Sequence, residues 1–452
     1  MLQLVLVAAI SIAFRRHIPV RLNVLLSSLF VTVPIWNYVP LADVGMVFLF
    51  DIAVPILLLR EIYLGRFVVR LKPVAIVGLL VFLIPAVYAP IGYLFLPPSY
   101  IGYHTVIVGL MLYRSLLIFL AVLILARELL SVDHRAVAGL MAFQFLVLFG
   151  LGSLQYLAGI DFVIYERLKD VENVVDTMLS GDQKILFGFG FLGLFRGAVP
   201  QMAIVGVFWW LLASLPSYSR KHGSAALILM CVLAIVCVGG SLSRIGILAI
   251  GSILLYAVYI NRPMRLWALL LLVAGLPLLL FGSYLDSIQV AGFDLIAGRF
   301  DIDQFTGEIG SGGTRIESAG RLAGVLQTSW LQWIVGLGGF NPITANEYFG
   351  VFGMHGDYLD VIARHGLFVG LLYIILVFVL FMRQLGGFFS DDPQQHEIPR
   401  AFGVLAIGIV ILAITQGALT FSGSAGYLAS AQSWMAIAFC IVVRQKIKRE
   451  VN

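Results

Sequence analysis

Charge and cysteine are both scarce in this chain. Only 12% of its 452 residues are Asp, Glu, Lys or Arg, about half the share a soluble domain uses to solvate its surface. Its three cysteines, Cys231, Cys237 and Cys440, sit inside apolar runs and offer no disulfide or metal framework. No CxxC, HExxH or Walker pattern occurs. Asp301, Asp303 and Glu308 miss the spacing of a twelve-residue calcium loop. Gly188 to Gly193 matches GxGxxG but precedes no soluble strand-helix unit, so no dinucleotide site is expected there. From these absences no cofactor and no metal is expected. The net charge of +5 comes from basic residues scattered singly and in pairs between apolar runs, a pattern unlike a nucleic-acid surface, so no nucleic acid is expected. A cleavable signal peptide is not evident either, because Arg15-Arg16-His17 follow the first apolar run instead of preceding it.

What is present is apolar length. Hydrophobic residues make up 61% of the chain, which predicts an all-α polytopic integral membrane protein. Stretches near twenty residues long fall at roughly 2–14, 18–38, 41–59, 73–96, 105–126, 136–160, 198–215, 224–240, 244–260, 264–282, 359–382, 400–416 and 427–443. That gives twelve or thirteen transmembrane helices, the first being short. Lysine and arginine set the orientation. Arg444, Lys446, Lys448 and Arg449 place the C-terminus in the cytoplasm, and alternation puts the short basic loops, including Arg15 to Arg21, Arg60 to Lys72, Arg127 to Arg135 and Arg383 to Arg400, on the same side. Two long loops then face outward, and both are acidic on balance. Asp161 to Gly197 holds six carboxylates against four bases, and Ser283 to Met354 seven against three. Arg244, in the turn after Gly240, shares that outer side. The chain divides into 1–223, transmembrane helices with the outer loop 161–197; 224–382, a core including the loop 283–358; and 383–452, further helices with a basic tail.

Chemistry is expected between Ser311 and Gly370, the most polar stretch. Thr314 and Glu317 form a capping box, predicting a helix from Arg315. Its apolar positions Ile316, Ala319, Leu322, Leu326, Trp330 and Trp333 make one face, with Glu317, Arg321, Thr328 and Gln332 elsewhere, as in a helix lying on a membrane surface. The run Gly336 to Gly339 stops it, and Asp357 is placed to cap the next helix. An arginine in a first helical turn opposes the helix dipole unless an anion sits there, so Arg315 marks either an anion site or a pair with Glu317 or Asp303. Arg244 and Arg196, at the mouths of spans, either snorkel or serve the site. Arg114, inside an apolar run, faces a partner or a cavity, or touches a lipid headgroup. His355 is either a hydrogen-bonded loop histidine or a base for a hydroxyl. Two arginines with forked contacts to a diphosphate, and a histidine beside an acceptor hydroxyl, together describe a transfer reaction with a diphosphate leaving group.

The pieces Ser241 to Arg244, Arg315, Gly336-Leu-Gly338, His355 to Leu359 and Gly366 to Gly370 resemble, in order and spacing, the O-antigen polymerase and O-antigen ligase superfamily of bacterial envelope glycosyltransferases. The resemblance covers about residues 224 to 382. Gly356 stands where the family pattern has asparagine, with Asp357 as the substitute beside it. The resemblance implies a metal-independent inverting glycosyltransferase of the inner membrane, with its site facing the periplasm and its donor linked to undecaprenyl diphosphate. Arg244 and Arg315 would hold the diphosphate and His355 would be catalytic, with Asp357, Arg321, Arg196 and Tyr358 supporting. Its partners would be the undecaprenyl-diphosphate-linked oligosaccharide, the lipid bilayer and a chain-length regulator. The leading expectation is a polymerase of repeat units making O-antigen or exopolysaccharide. The alternative is a ligase passing glycan to lipid A core or another acceptor. From another class comes a lipid-linked sugar flippase or transporter, which predicts repeated halves and ionisable residues lining a midplane pathway, often with broken helices in matching positions; here the spans are mostly uncharged and no internal repeat is apparent.

Overall fold

The computed structural model describes residues 2–32, 35–37, 46–65, 72–94, 98–158, 198–214, 222–240, 244–260, 320, 323–324, 330–337, 357–389, 393–414, 418–420 and 424–451. The chain is helical, in the order α1 (Leu2–Phe14), α2 (Val20–Ser28), α3 (Leu49–Tyr63), α4 (Ala75–Leu94), α5 (Pro98–Glu128), α6 (His134–Ala158), α7 (Ala198–Ser214), α8 (His222–Gly240), α9 (Arg244–Ile260), α10 (Trp330–Val335), α11 (Asp357–Leu385), α12 (Pro393–Ala413) and α13 (Ser424–Val451). Among the described residues five stretches are long and apolar enough to cross a membrane: Ala75–Leu94, Thr105–Glu128, His134–Ser153, Asp357–Leu385 and Gly426–Glu450. Leu4–Phe14, Ala198–Ser214, Leu229–Val238 and Ile245–Tyr256 are shorter apolar helices. This is the architecture of an α-helical membrane protein. The expected span 264–282, the loop 161–197, most of the loop 283–358 and the start of its amphipathic helix lie outside the described residues.

Two expected spans take another form. Among the described residues, the stretch 18–38 is helical over Val20–Ser28, and 41–59 is helical from Leu49. Between them Trp36–Asn37 and Met46–Val47 pair as a short antiparallel ribbon. Pro34 and Pro40 lack the N–H that a continuous helix through this stretch would use. A twenty-residue hydropathy window averages across such breaks.

The hub is α7. Its sequence AVPQMAIVGVFWWLLAS is apolar on every side, which suits a helix surrounded by others, and nearly all of it is buried. It packs on α6, α8, α9, α12 and α13. Gly206 permits one close approach, since a Cβ there would meet Met230 at 2.5 Å. One continuous hydrophobic core runs from Val7 to Val443.

Contacts gather the basic loops at one end of the bundle. Glu61 takes Arg21 at 2.6 Å and Arg127 at 2.6 Å, with Glu128 3.5 Å from Arg21. Lys446 donates to the Val132 carbonyl at 3.1 Å. Arg444 donates to the carbonyls of Arg383 and Gly386. Arg135 lies 3.9 Å from Glu397. Residues that charge counting puts on one side of the membrane therefore touch one another. Burial pushes the Glu61 carboxyl up, but the hydrogen bonds and charges of Arg21 and Arg127 outweigh it and hold Glu61 below its ordinary value.

Candidate functional site

Helix α11 supplies most of the polar groups away from the basic end, and it is not continuous. Gly366 has φ 76° and ψ 173°, which ends one helix and starts another. Before the break, Asp357, Asp360, Arg364 and His365 are all buried. Their spacing of three, seven and eight from Asp357 puts them on one face, so this short segment turns charge inward while Leu359 is exposed.

Two glycines hold the break. Gly336 follows α10 with φ 70° and donates to the Gln332 carbonyl at 2.7 Å, closing that helix in the left-handed conformation that glycine adopts most readily. The next residue, Leu337, donates to the Ala363 carbonyl at 2.7 Å. A Cβ on Gly336 would lie 2.4 Å from the Gly366 nitrogen, and one on Gly366 would lie 2.2 Å from the Ile334 carbonyl oxygen. At Gly370 a Cβ would lie 2.7 Å from the Ile362 Cα, so the second segment also folds closely against the first. The Gly-Leu-Gly and Gly-Leu-x-x-Gly pieces of the sequence thus meet at one joint, through Gly336 and Gly366.

Asp357 reaches away from its own helix. Its carboxylate accepts hydrogen bonds from the backbone N–H groups of Ala418 and Leu419, both at 2.8 Å, and of Thr420 at 2.9 Å, and from the Thr420 hydroxyl. Three consecutive N–H groups around one carboxylate form a nest for negative charge. The segment is gripped from the other side as well. Trp434 Nε1 donates to the Leu419 carbonyl at 2.9 Å, Ser430 donates to that of Thr420 at 3.2 Å, and Gln201 donates both to the Ala418 carbonyl and to Ser433 Oγ. The helix does begin at Asp357, as capping logic expects, but the hydrogen bonds of the side chain run across to 418–420.

Deeper along the same face, Arg364 Nε bonds Asp360 Oδ1 at 2.9 Å. His365 meets the Tyr88 ring edge to face at 5.2 Å between centroids. Its Nδ1 is buried and has no hydrogen-bond partner among the described residues. Arg364 and His365 line a cavity of about 60 Å³ together with Ser115, Thr420 and Tyr373. Its apolar wall comes from Leu80, Val81, Pro85, Ala89, Val108, Met111, Leu112 and Leu419. The α4 side of this wall is irregular too: it passes from α-helix through a π segment at Leu79–Leu83 to a 3-10 segment at Ala89–Leu94. Non-helical backbone at membrane depth is tolerated where protein buries it or where it lines a cavity.

The expected site residues divide. His355, Arg315, Arg321 and Arg196 lie outside the described residues. Arg244 is the first residue of α9. Asp357 and Tyr358 open α11, the first buried and the second half-buried. Arg114 faces partners: its guanidinium stacks 4.9 Å from the Tyr427 ring and 6.0 Å from the Phe48 ring, with Asp51 close enough to exert its charge. Sequence reasoning passes over Asp360, Arg364 and His365, although three ionisable groups inside an apolar run, two of them four apart, are a readable signal. Nothing local points to Thr420. Among the described residues no three His, Cys, Asp or Glu side chains come together to hold a metal ion. No protein-family model matches the chain, and no curated protein sequence matches it significantly.

Proposed function

We propose that this protein is a polytopic inner-membrane glycosyltransferase that polymerises undecaprenyl-diphosphate-linked oligosaccharide repeat units on the periplasmic side, without a metal and with inversion. In this reading Arg244 and Arg315 hold the diphosphate, and His355 takes the proton of the acceptor hydroxyl as the leaving group departs. Asp357 fixes the chain two residues after that histidine, and Arg321, Arg196 and Tyr358 support the site. The observation that carries the reading is the meeting of two motif pieces at one joint, where Leu337 hydrogen-bonds Ala363 and Gly336 packs on Gly366. Separated by some thirty residues, they act as one structural unit, as parts of one site should. A ligase would use the same donor and the same residues.

The test is reconstitution. Purified protein in liposomes with lipid-linked repeat units is expected to yield products of two or more repeats, and to keep doing so with chelator present. Arg315→Lys is expected to lose most of that activity, because one ammonium cannot reproduce a forked contact to diphosphate.

One observation favours a second reading. Two interrupted helices, α4 and α11, flank a cavity lined by Arg364 and His365, which is the kind of place where transporters bind substrate. Movement of the lipid-linked sugar between leaflets with no new glycosidic bond would select transport and remove the enzyme.

A further inference from the structure

We propose that the cavity beneath the α11 break is a hydration site, in which water bound to the His365 Nδ1 is held inside the bundle. The inference stands on geometry and does not depend on the reaction assigned above. His365 is 4% exposed and its Nδ1 finds no partner among the described residues, although a neutral imidazole nitrogen buried without a hydrogen bond is costly. The cavity it lines has about 60 Å³, above the roughly 10–15 Å³ that one water needs. A buried water also needs two to four polar partners. The polar wall supplies them: the Ser115 hydroxyl from α5, the Thr420 hydroxyl from the pinned segment, and Arg364 beside the histidine.

Charge decides between water and an anion. The Arg364 guanidinium is matched by Asp360 at 2.9 Å, so the wall presents a compensated ion pair next to an imidazole and two hydroxyls. Such a wall favours a neutral ligand that both donates and accepts. Water is a neutral molecule that does both. Water also suits the backbone. The α11 break and the change of helical type along α4 both border this cavity, and ordered water is one way irregular backbone is accommodated inside a membrane protein. The water would therefore hold together two interrupted helices that belong to different halves of the chain.

The experiment uses the full chain in lipid nanodiscs, labelled on its seven histidines with 15N and on its eleven methionine methyls with 13C. His365 is assigned through His365→Gln, and Met111, from the apolar lining, through Met111→Leu. The expected result is a magnetisation-transfer contact between the His365 ring nitrogen and water that vanishes in His365→Gln, together with a Met111 methyl resonance that stays fixed under xenon pressure, since xenon enters dry apolar voids. A His365 ring without water contact overturns the proposal, and so does a Met111 methyl that shifts under xenon. If His365→Gln fails to fold, the Met111 measurement on otherwise wild-type protein still decides.

Discussion

The two polar regions of this molecule handle charge in opposite ways. At the basic end, Arg21 and Arg127 keep 24% and 33% of their side-chain surface exposed while sharing Glu61, and other cations rest on loop carbonyls. Around α11, Asp360 and Arg364 keep only 8% and 10%, and Asp357 is held by backbone N–H groups alone and the Thr420 hydroxyl. The basic-end pairs keep their cations partly solvated although the carboxylates Glu61 and Glu128 are buried at 5% and 7%, and basic loops mark the side of a membrane a chain prefers. Buried pairs cost several kcal/mol to desolvate and persist only where geometry satisfies them fully. The first region leaves its cations at the surface, whereas the second takes both members of an ion pair inside.

Substitutions can break that contrast. Removing the Asp357 carboxylate should have the largest effect, because Asp357→Ala strands three buried N–H donors at once. A loss on the order of 3–5 kcal/mol is expected, read as a large fall in Tm in nanodiscs. Arg364→Leu alone should cost about 3 kcal/mol by leaving Asp360 buried without its cation. Adding Asp360→Leu should restore most of the Tm, since the desolvation cost then disappears with the pair; no recovery in the double variant would mean the pair does more than neutralise itself. The glycines give a matched test. Gly366→Ala puts a Cβ against the Ile334 carbonyl and forces a left-handed residue, for a cost of 2 kcal/mol or more, on the order of a strained core substitution. Gly65, with φ 60° at the basic end, has nothing within 4 Å, so Gly65→Ala should cost about 1 kcal/mol.

The smallest effect belongs to the partly exposed cations of the basic end. Arg127→Ala should lower stability by about 1 kcal/mol or less. Its pH signature has a definite sign. Glu61 is held below its ordinary value of 4.5, so its pairing adds stability above that value and loses it as pH falls through the lowered one. Wild type should therefore lose its Tm advantage over Glu61→Gln on titration from about pH 6 to about pH 3. A constant gap across that range would show that Glu61 acts through packing alone.

Much of the helical plan is legible in the sequence, because apolar length is a local property. The expected 198–215, 224–240 and 244–260 become Ala198–Ser214, His222–Gly240 and Arg244–Ile260. Legibility ends where a contact is distant. Gly366 stands in the sequence as a motif residue inside the expected span 359–382, and only its contact with Ile334 and Gly336 makes it a break. Asp357 reads as a helix cap, yet its partners lie some sixty residues on, in a segment with no motif of its own. The region 18–59 shows the reverse error, in which hydropathy averages over prolines that divide it into two helices and a ribbon. At the site itself, sequence supplies Asp357 and Tyr358 and passes over Asp360, Arg364 and His365, whose importance lies in burial.

The central claim concerns bond formation, so a glycan profile tests it most directly. A strain lacking the gene would be complemented with wild type or with His355→Ala at matched expression. The account predicts that polymer disappears in the deletion while single repeat units persist on lipid or core, and that wild type alone restores it. Long polymer accumulating on the lipid carrier in the deletion, or full polymer restored by His355→Ala, would contradict it.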